Sequence, residues 1–409
     1  MPPTRTLRTW AILCALATVG LRAVPAASAP SATRMPARVA VVILEDKDAC
    51  SPTDGLLAAC GGGNAGMMPY LNGTIVREGV TFTQMHEGIT GLPCTDGRQP
   101  GCAYLNGKAN YPVVFSGALC NMDCLGSKSP NLFGQMGDHG FRVFEEDWAN
   151  TSGKSTSRCA IKYAPPQGLA YSRLHNPATF WAGACRWRTP PKTVLTFPNV
   201  PPGAMANRQG PFAAFKGREA FAPLDVIVPS LCHDQHDSSC PAGTTNRTNP
   251  WGVIGSGSCD EGHGHGWVVD NAITAGDLWL CRNFEGIRKD VGSSGVVILT
   301  WDEDANKKGY TSEGQTAQGT IPTVIVPGED ATGTPGVLDA CPAPGPAGCV
   351  DAGGYDQTSL FKTLVDVAVG ASPRPCGYYA RNPRSFASCS DSSPTGRPAF
   401  DVLLQTPPG

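Results

Sequence analysis

Continuous apolar runs of strand length are the feature that most constrains what this chain can fold into. Val39–Leu44 is a continuous β-branched run, and Val296–Thr300 and Ile321–Val326 are further apolar segments. Runs without alternating polar residues are typical of strands buried on both faces, as in a parallel sheet that is covered on both sides. The chain is therefore expected to build its core around such a sheet.

Segments with helical spacing alternate with these runs. Met68–Glu78, Val268–Arg288 and Ser359–Val369 are the clearest helical candidates. The alternation predicts an α/β fold, a three-layer sandwich with a largely parallel central sheet. The 49 Gly and 37 Pro residues make up about a fifth of the chain, which places much of it in loops and excludes a helical bundle.

The overall charge excludes two classes of function. The 409 residues include 32 Lys+Arg and 34 Asp+Glu, for a formal net charge of −2. Nucleic-acid binders and polybasic membrane-surface proteins need a cationic excess, so neither is expected here. Only 16% of the residues are charged and 41% are hydrophobic, which favours a large folded core over disorder.

The N-terminal residues resemble an export signal. Arg5 and Arg8 precede the apolar run Trp10–Leu21, and Ala27–Ala29 is a small-residue cleavage site. A transmembrane anchor is the alternative, but the run is shorter than the ~20 residues that a bilayer requires. We predict a signal peptide over residues 1–29, a secreted or extracytoplasmic protein and no transmembrane anchor.

The rest of the chain is assigned to one domain. Residues 36–372 form the predicted α/β domain, and residues 373–409 a C-terminal surface tail. Stretches rich in Gly, Pro, Ser and Cys inside the domain are interpreted as disulfide-pinned loop insertions rather than separate domains.

Cysteine usage agrees with an oxidising compartment. One of the 17 cysteines, Cys14, lies in the signal, which leaves an even number. Short spacings favour disulfides, about eight in all, over zinc sites, because no C-x₂-C pair is present. The closely spaced pairs are Cys50/Cys60, Cys94/Cys102, Cys120/Cys124, Cys232/Cys240, Cys341/Cys349 and Cys376/Cys389.

Acidic residues follow two of the apolar runs directly. Glu45 and Asp46 end the first, and Asp302 and Glu303 end the one that begins at Val296. Ligands of open α/β sheets bind beyond the carboxyl ends of the strands, where converging carboxylates can bind a divalent cation. Alternatively, each carboxylate only caps the loop or helix that follows.

Histidines are scarce, seven in all, and two of the places where they occur combine imidazole with carboxylate. Leu231–Asp237 contains His236, and Asp260–His265 is a Gly-rich stretch that can equally be a solvated loop. Such groups can bind a metal, hold a phosphate oxygen or carry protons. A third feature is His175, a lone histidine of the kind that on its own is more often structural.

The order of these motifs resembles a known family. Between about Val39 and Val369 the chain is similar to the secreted acid phosphatases of the phosphoesterase family that also contains bacterial phospholipases C, within the alkaline-phosphatase-like superfamily. The motifs that carry the resemblance are Val41–Asp46, Pro69–Asn72, Gly79–Thr83, Asn110–Gly117, Glu146–Asp147, His175–Pro177, Leu231–Asp237, Gly276–Leu280, Thr300–Asp304 and Ile321–Val326.

The resemblance implies a metal-dependent hydrolase of phosphoric esters that uses a metal-activated hydroxyl nucleophile. The implied substrate is a small phosphate ester or a phospholipid. His236 and His175 would contact the phosphate or act as acid and base. The residues implied to hold a divalent metal ion, of unspecified identity, are Glu45, Asp46, Asp302 and Glu303.

The chain departs from the family pattern at the nucleophile. Gly107 stands at the position of the family's serine and has no hydroxyl. Thr90 is the candidate replacement, because Gly88 and Gly91 permit the sharp turn that presents a nucleophile, and Thr95 is a poorer one.

Two family histidines are also replaced, by Thr320 and Gln357. A catalytically impaired relative, acting as a secreted binding or structural protein, is therefore the alternative. An unrelated disulfide-rich secreted protein is a third possibility, and it would require the acidic strand ends to lie far apart.

Overall fold

A computed structural model describes the residues that form the sheet and its immediate surroundings. These residues are 38–87, 107–116, 131–133, 141–145, 175, 177–180, 194–196, 224–229, 233–236, 272–304, 319–330, 348–352, 354–357, 359–361 and 363–364. The chain divides into Met1–Ala32 and Thr33–Gly409, and every described residue lies in the second unit. The predicted signal, the tail and the Asp260–His265 stretch lie outside the described residues.

An eight-stranded sheet forms the core of the described part. Its order is β5-β4-β6-β1-β7-β8-β2-β9, with all neighbouring pairs parallel except those that β8 makes with β7 and β2. The strands are β1 (Val39–Leu44), β2 (Val80–Phe82), β4 (Phe141–Glu145), β5 (Val194–Thr196), β6 (Leu224–Val228), β7 (Val296–Trp301), β8 (Thr323–Pro327) and β9 (Cys349–Asp351). Two further short strands, β3 (Met85–His86) and β10 (Tyr355–Asp356), pair with each other in parallel.

The central strands are buried on both faces, as their sequences predict. Every residue of β1, β6, β7 and β8 is buried, so the chain covers both sides of the sheet. β1 lies between β6 and β7, with Val39 opposite Leu224 on one side and Val296 on the other. This register brings the carboxyl ends of three parallel strands to one edge. The predicted α/β class with a largely parallel sheet is confirmed.

Three helices are described beside the sheet. They are α1 (Val76–Glu78), which continues a π-helical turn over Leu71–Ile75, α2 (Gly107–Ser116) and α3 (Ala272–Val291). The carboxylate of Asp277 on α3 accepts hydrogen bonds from the backbone N–H groups of Tyr70 and Leu71, both at 2.9 Å. This buried carboxylate therefore fixes the start of the helical turn against α3.

The helix predictions hold for two segments, and the described residues of the third, 359–361 and 363–364, are helical as well. The Val268–Arg288 prediction corresponds to α3, and Met68–Glu78 to the helical residues that end with α1. Tyr111–Phe115, which the sequence left open between strand and helix, lies in α2. In the described part of the chain, no helix is long and apolar enough to cross a membrane.

One of the closely spaced cysteine pairs forms a disulfide in the described residues. Cys50 is bonded to Cys60, which closes the loop that follows β1. Cys281 and Cys349 are each disulfide-bonded as well. The Cys50/Cys60 pairing predicted from the spacing is confirmed, and the total of about eight stays a prediction.

Candidate metal centre

The carboxyl ends of β6, β1 and β7 meet at one edge of the sheet and place three acidic loops side by side. The backbone N–H of Glu45 donates to the carbonyl of Asp234 at 2.7 Å, and that of Asp302 donates to the carbonyl of Leu44 at 2.9 Å. The N–H of Lys47 donates to the carbonyl of Glu303 at 3.0 Å. The three loops are therefore tied together by their main chains before any side chain is considered.

The loop after β1 presents two carboxylates in different ways. Glu45 is buried, whereas Asp46 is partly exposed and has a φ of 52°, in the left-handed region. Aspartate is one of the few non-glycine residues that adopt this conformation readily. The backbone N–H of Asp46 donates to Oδ1 of Asp302 at 3.1 Å, which joins the acidic ends of β1 and β7.

The loop after β6 contains a second left-handed residue. Gln235 has a φ of 78°, and its side chain is fixed from two sides. Its Oε1 accepts a hydrogen bond from the indole N–H of Trp301 at 2.9 Å, and its Nε2 donates to the carbonyl of Ile273 at 3.0 Å. These bonds hold the turn so that Asp234 and His236, on either side of Gln235, both face the acidic edge.

Two imidazoles complete the cluster. Nδ1 of His175 lies 3.2 Å from Oε1 of Glu45 and 3.2 Å from Oδ2 of Asp234. Nε2 of His236 lies 3.4 Å from Oδ2 of Asp46, while its backbone N–H donates to Oδ1 of Asp234 at 2.9 Å. The two rings are 5.9 Å apart between centroids, so they border the same space.

A buried tyrosine on α2 contacts the most buried carboxylate. The hydroxyl of Tyr111 donates to Oε1 of Glu45 at 2.6 Å, and its ring stacks on His175 with centroids 5.8 Å apart. Burial, followed by the charge of Glu45, raises the pKa of Tyr111 well above its usual value. Tyr111 is therefore a hydrogen-bond donor that orients both Glu45 and His175.

Burial and mutual repulsion change the protonation of the carboxyls. Burial, then the charges of Asp302 and Asp234, raises the pKa of Glu45 well above its usual value. Burial and the charge of Asp46 raise the pKa of Asp302 to about 7, although the charge of His175 acts in the opposite direction. Without a bound cation, this edge therefore retains protons at pH values where ordinary carboxyls are ionised.

Lys47 is a basic residue among these acids. It is buried, and burial lowers its pKa, even though the nearby charges of Asp46 and Asp234 favour the protonated form. Its ammonium donates to two main-chain carbonyls rather than to a carboxylate, at 2.7 Å to Asp46 and 2.6 Å to Gln235.

The donor set fits a divalent cation. Among the described residues, no hydrogen-bond donor reaches three buried carboxylate oxygens, Oε2 of Glu45, Oδ1 of Asp46 and Oδ2 of Asp302. Buried anionic oxygens without a donor are costly unless a cation neutralises them. Two sets of potential ligand atoms, each mutually within 4.8 Å, share Glu45: one adds Asp46 and His236, and the other adds His175 and Asp234. Mixed carboxylate and imidazole ligands suit zinc and similar transition metals better than magnesium or calcium.

The structure brings together most of the residues predicted from sequence. Glu45, Asp46 and Asp302 meet at one edge, and His175 and His236 join them. Glu303 is buried next to this edge, but neither set of potential ligand atoms includes it. Thr90 lies outside the described residues.

Sequence reasoning missed three residues of this centre: Asp234, Tyr111 and Lys47. Asp234 and Tyr111 lie inside segments that the sequence analysis did single out, Leu231–Asp237 and Asn110–Gly117. The signal for Asp234 was its position beside His236 in an acidic and histidine-rich stretch. Lys47 left no comparable signal, because its role depends on how two turns are folded.

The structure describes the three residues at which the sequence departs from the pattern that it resembles, Gly107, Thr320 and Gln357. Gly107 is the first residue of α2. The hydroxyl of Thr320 donates to Oδ1 of Asp48 at 3.2 Å. The buried amide of Gln357 donates from Nε2 to the carbonyl of Asp302 at 2.7 Å, so it supports the loop after β7.

A second acidic group lies elsewhere and already holds its own cation. Glu78, Glu285 and Glu329 offer oxygens within 4.8 Å of one another, but the buried guanidinium of Arg288 pairs with all three. This cluster is an ion-pair network that joins α1, α3 and the end of β8.

Comparisons with known proteins give a likeness in structure only. No family model matches the chain, and no curated protein matches it. The structure is similar to that of a protein in the alkaline phosphatase superfamily from Vibrio parahaemolyticus, with 15% identity, a TM-score of 0.46, and coverage of 83% of this chain and 67% of that one. It is also similar to the C-terminal periplasmic domain of EcEptC from Escherichia coli in complex with Zn, with 13% identity, a TM-score of 0.42, and coverage of 90% and 88%. A third is the phosphonate monoester hydrolase of Agrobacterium radiobacter, with 14% identity, a TM-score of 0.35, and coverage of 81% and 73%.

The superfamily named in the first of these structures is the one that the sequence motifs indicated. The acid phosphatase or phospholipase C subtype stays a prediction. At these identities and TM-scores the likeness carries no inference about activity, so function is inferred below from the geometry of the site.

Proposed function

We propose that the protein is a secreted, metal-dependent hydrolase of phosphoric esters. The observation that carries the proposal is the convergence of Glu45, Asp46, Asp234, His175 and His236 at the carboxyl ends of β6 and β1, with buried carboxylate oxygens that no donor reaches among the described residues. This is the edge where open parallel sheets bind ligands. A cation held there would bind an anionic ester and stabilise charge that develops on phosphorus oxygens.

The residues around the cation divide into those that hold it and those that handle protons. The carboxylates of Glu45, Asp46 and Asp302, with Asp234, would hold one or two divalent ions, and a bound ion would supply Lewis-acid polarisation. His236 is the more exposed imidazole and is suited to protonate the leaving alcohol as the ester P–O bond breaks. His175, packed on Tyr111 and bonded to Asp234, is suited to a positioning role.

The nucleophile that we propose is the hydroxyl of Thr90. Its hydroxyl would lose its proton to solvent, and its oxygen would form the new bond to phosphorus as the ester oxygen departs. Water would then hydrolyse the phosphorylated residue and release phosphate. The proposed substrate is a small phosphate ester or a phospholipid headgroup, and the proposed location is extracytoplasmic.

The test is hydrolysis of p-nitrophenyl phosphate, a monoester, and bis-p-nitrophenyl phosphate, a diester, by the purified mature protein. We expect activity that is lost after treatment with a chelator and restored by Zn²⁺ or another transition metal. Protein that binds metal but hydrolyses neither ester contradicts the proposed activity. Protein that binds no divalent metal contradicts the proposed site as well.

The nucleophile is tested separately with Thr90→Ala, and Thr95→Ala serves as the matched control. Thr90→Ala is expected to abolish hydrolysis while metal content and the far-UV circular dichroism spectrum stay as in the wild type. Thr95→Ala is expected to retain activity. An active Thr90→Ala protein would leave the hydrolase intact and move the nucleophile to another residue.

One observation favours the impaired relative as a second candidate. The buried amide of Gln357 occupies the place of a family histidine and is engaged with the backbone of Asp302, so it offers no acid or base. A protein of this kind would bind metal and phosphate without turnover. Isothermal titration with inorganic phosphate, with and without Zn²⁺, distinguishes it from an enzyme when no hydrolysis is found.

A further inference from the structure

Lys47 contacts all three loops of the candidate metal centre. It follows Glu45 and Asp46 directly, and its buried ammonium reaches across to the loop after β6, where it donates to the carbonyl of Gln235 at 2.6 Å. Its backbone N–H donates to the carbonyl of Glu303, in the loop after β7.

Both carbonyls that accept from the ammonium belong to left-handed residues. In the described part of the chain, Asp46 and Gln235 are the non-glycine residues with positive φ, at 52° and 78°. The bond from Lys47 to Asp46 is 2.7 Å. Non-glycine residues hold this conformation only where the surroundings enforce it, and the shared ammonium is one such constraint.

Each of these turns carries two potential metal ligands. Glu45 and Asp46 lie on the first, and Asp234 and His236 lie on either side of Gln235 on the second. A rotation of either turn would move a carboxylate and its neighbour together. The distances within both ligand sets therefore depend on how the two turns are held relative to each other.

We propose that Lys47 is a positioning residue whose ammonium clamps the two left-handed turns and so keeps the carboxylates of Glu45, Asp46 and Asp234 in a binding arrangement. This inference rests on the proposed metal centre. It assigns to a buried lysine a role in metal affinity without contact between the lysine and the metal.

If Lys47 acted only as a counter-charge, its removal would change the metal affinity in the opposite direction. Lys47 lies among the carboxylates of Glu45, Asp46, Asp234 and Asp302. If it acted only through its charge, its removal would leave the site more negative and a cation would bind more tightly. If it acts as a clamp, its removal weakens binding.

The experiment measures Zn²⁺ affinity of chelator-treated protein by isothermal titration. Lys47→Met keeps the length of the side chain but removes charge and donors, and we expect affinity to fall about tenfold. Lys47→Arg keeps the charge, but a planar guanidinium does not reproduce two short bonds from one nitrogen, so affinity is expected to fall about threefold or more. Lys289→Met, which removes an exposed lysine at the far end of α3, is expected to match the wild type.

The outcomes separate the clamp from the metal centre. Affinity of Lys47→Met that is unchanged or higher, with folding preserved in the circular dichroism spectrum, overturns the clamp alone. If Lys47→Met fails to fold, Lys47→Arg decides: wild-type affinity in that variant overturns the clamp. A wild-type protein that binds neither Zn²⁺ nor another divalent transition metal overturns the proposed metal centre and the clamp with it.

Discussion

At the scale of single residues, the main feature is a group of neighbouring buried carboxylates that repel one another. Folding raises the pKa of Asp302 to about 7 and raises that of Glu45 well above its usual value, since both are buried beside other acids. Such groups destabilise the metal-free protein when they ionise. A bound cation would make their ionised forms favourable.

The substitution Asp302→Asn tests whether this carboxylate favours metal binding at the expense of the stability of the metal-free protein. The amide keeps an oxygen that can accept from the backbone N–H of Asp46, but it removes one negative charge. We expect Zn²⁺ affinity to fall about tenfold, while the metal-free protein becomes more stable at pH 8 because repulsion is reduced. Isothermal titration and urea unfolding measure the two effects.

A matched control is available in the same sheet. Asp225 is also buried, but it lies near the amino end of β6 and pairs with Arg38 at 3.5 Å. Asp225→Asn is expected to lower stability and leave Zn²⁺ affinity unchanged. Equal losses of affinity in both variants would mean that Asp302 acts through general stability and not as part of the metal centre.

At the scale of elements, α3 supports the loop after β6 from behind. Gly276 faces Gln235 so closely that an added Cβ would lie 2.4 Å from the Cγ and Nε2 atoms of that side chain. The side chain has little freedom to move, because Trp301 and the carbonyl of Ile273 both bind its amide. Packing on α3 is therefore coupled to the conformation of the turn.

Gly276→Ala is the corresponding prediction. We expect a loss of about 1–3 kcal/mol in the free energy of unfolding, because the extra methyl group overpacks this contact. A fall of several-fold in Zn²⁺ affinity should accompany it as the turn shifts. Gly73→Ala is the control, since an added Cβ at that helical glycine meets nothing within 4 Å. Wild-type stability in Gly276→Ala would contradict the close packing.

The elements themselves were largely predictable from the sequence, and the physical reason is local. The runs at β1 and β7 are continuously apolar, and α3 has helical spacing, so each carries its own pattern. The antiparallel placement of β8 and the strand order were not predictable, because long-range packing decides which strands become neighbours. The role of Lys47 was missed for a related reason, since it depends on the left-handed turns at Asp46 and Gln235, which the sequence does not reveal.

At the scale of the whole molecule, the fold around the sheet is stabilised by covalent and ionic links that do not depend on metal. The Cys50–Cys60 disulfide closes the loop after β1, and the Arg288 network joins α1, α3 and β8. A closed loop of this length reduces the freedom of the unfolded chain by the equivalent of roughly 2–3 kcal/mol. These links allow the folded protein to tolerate an unfavourable metal-free centre.

The stability of the metal-free protein should therefore depend on pH in an unusual direction. Folding raises the pKa of Asp302 from 3.8 to about 7, so the folded state binds more protons than the unfolded chain between those values. The stability that this proton contributes is fully present below the unfolded pKa and is lost as the pH rises through about 7. For Asp302 alone the loss is roughly 4 kcal/mol at most.

We expect chelator-treated protein to have a lower free energy of urea unfolding at pH 8 than at pH 5. Added Zn²⁺ should restore stability more at pH 8, because ionised carboxylates bind the cation and protonated ones do not. Metal-free protein that is equally or more stable at pH 8 would show that these carboxyls do not hold protons in the folded state.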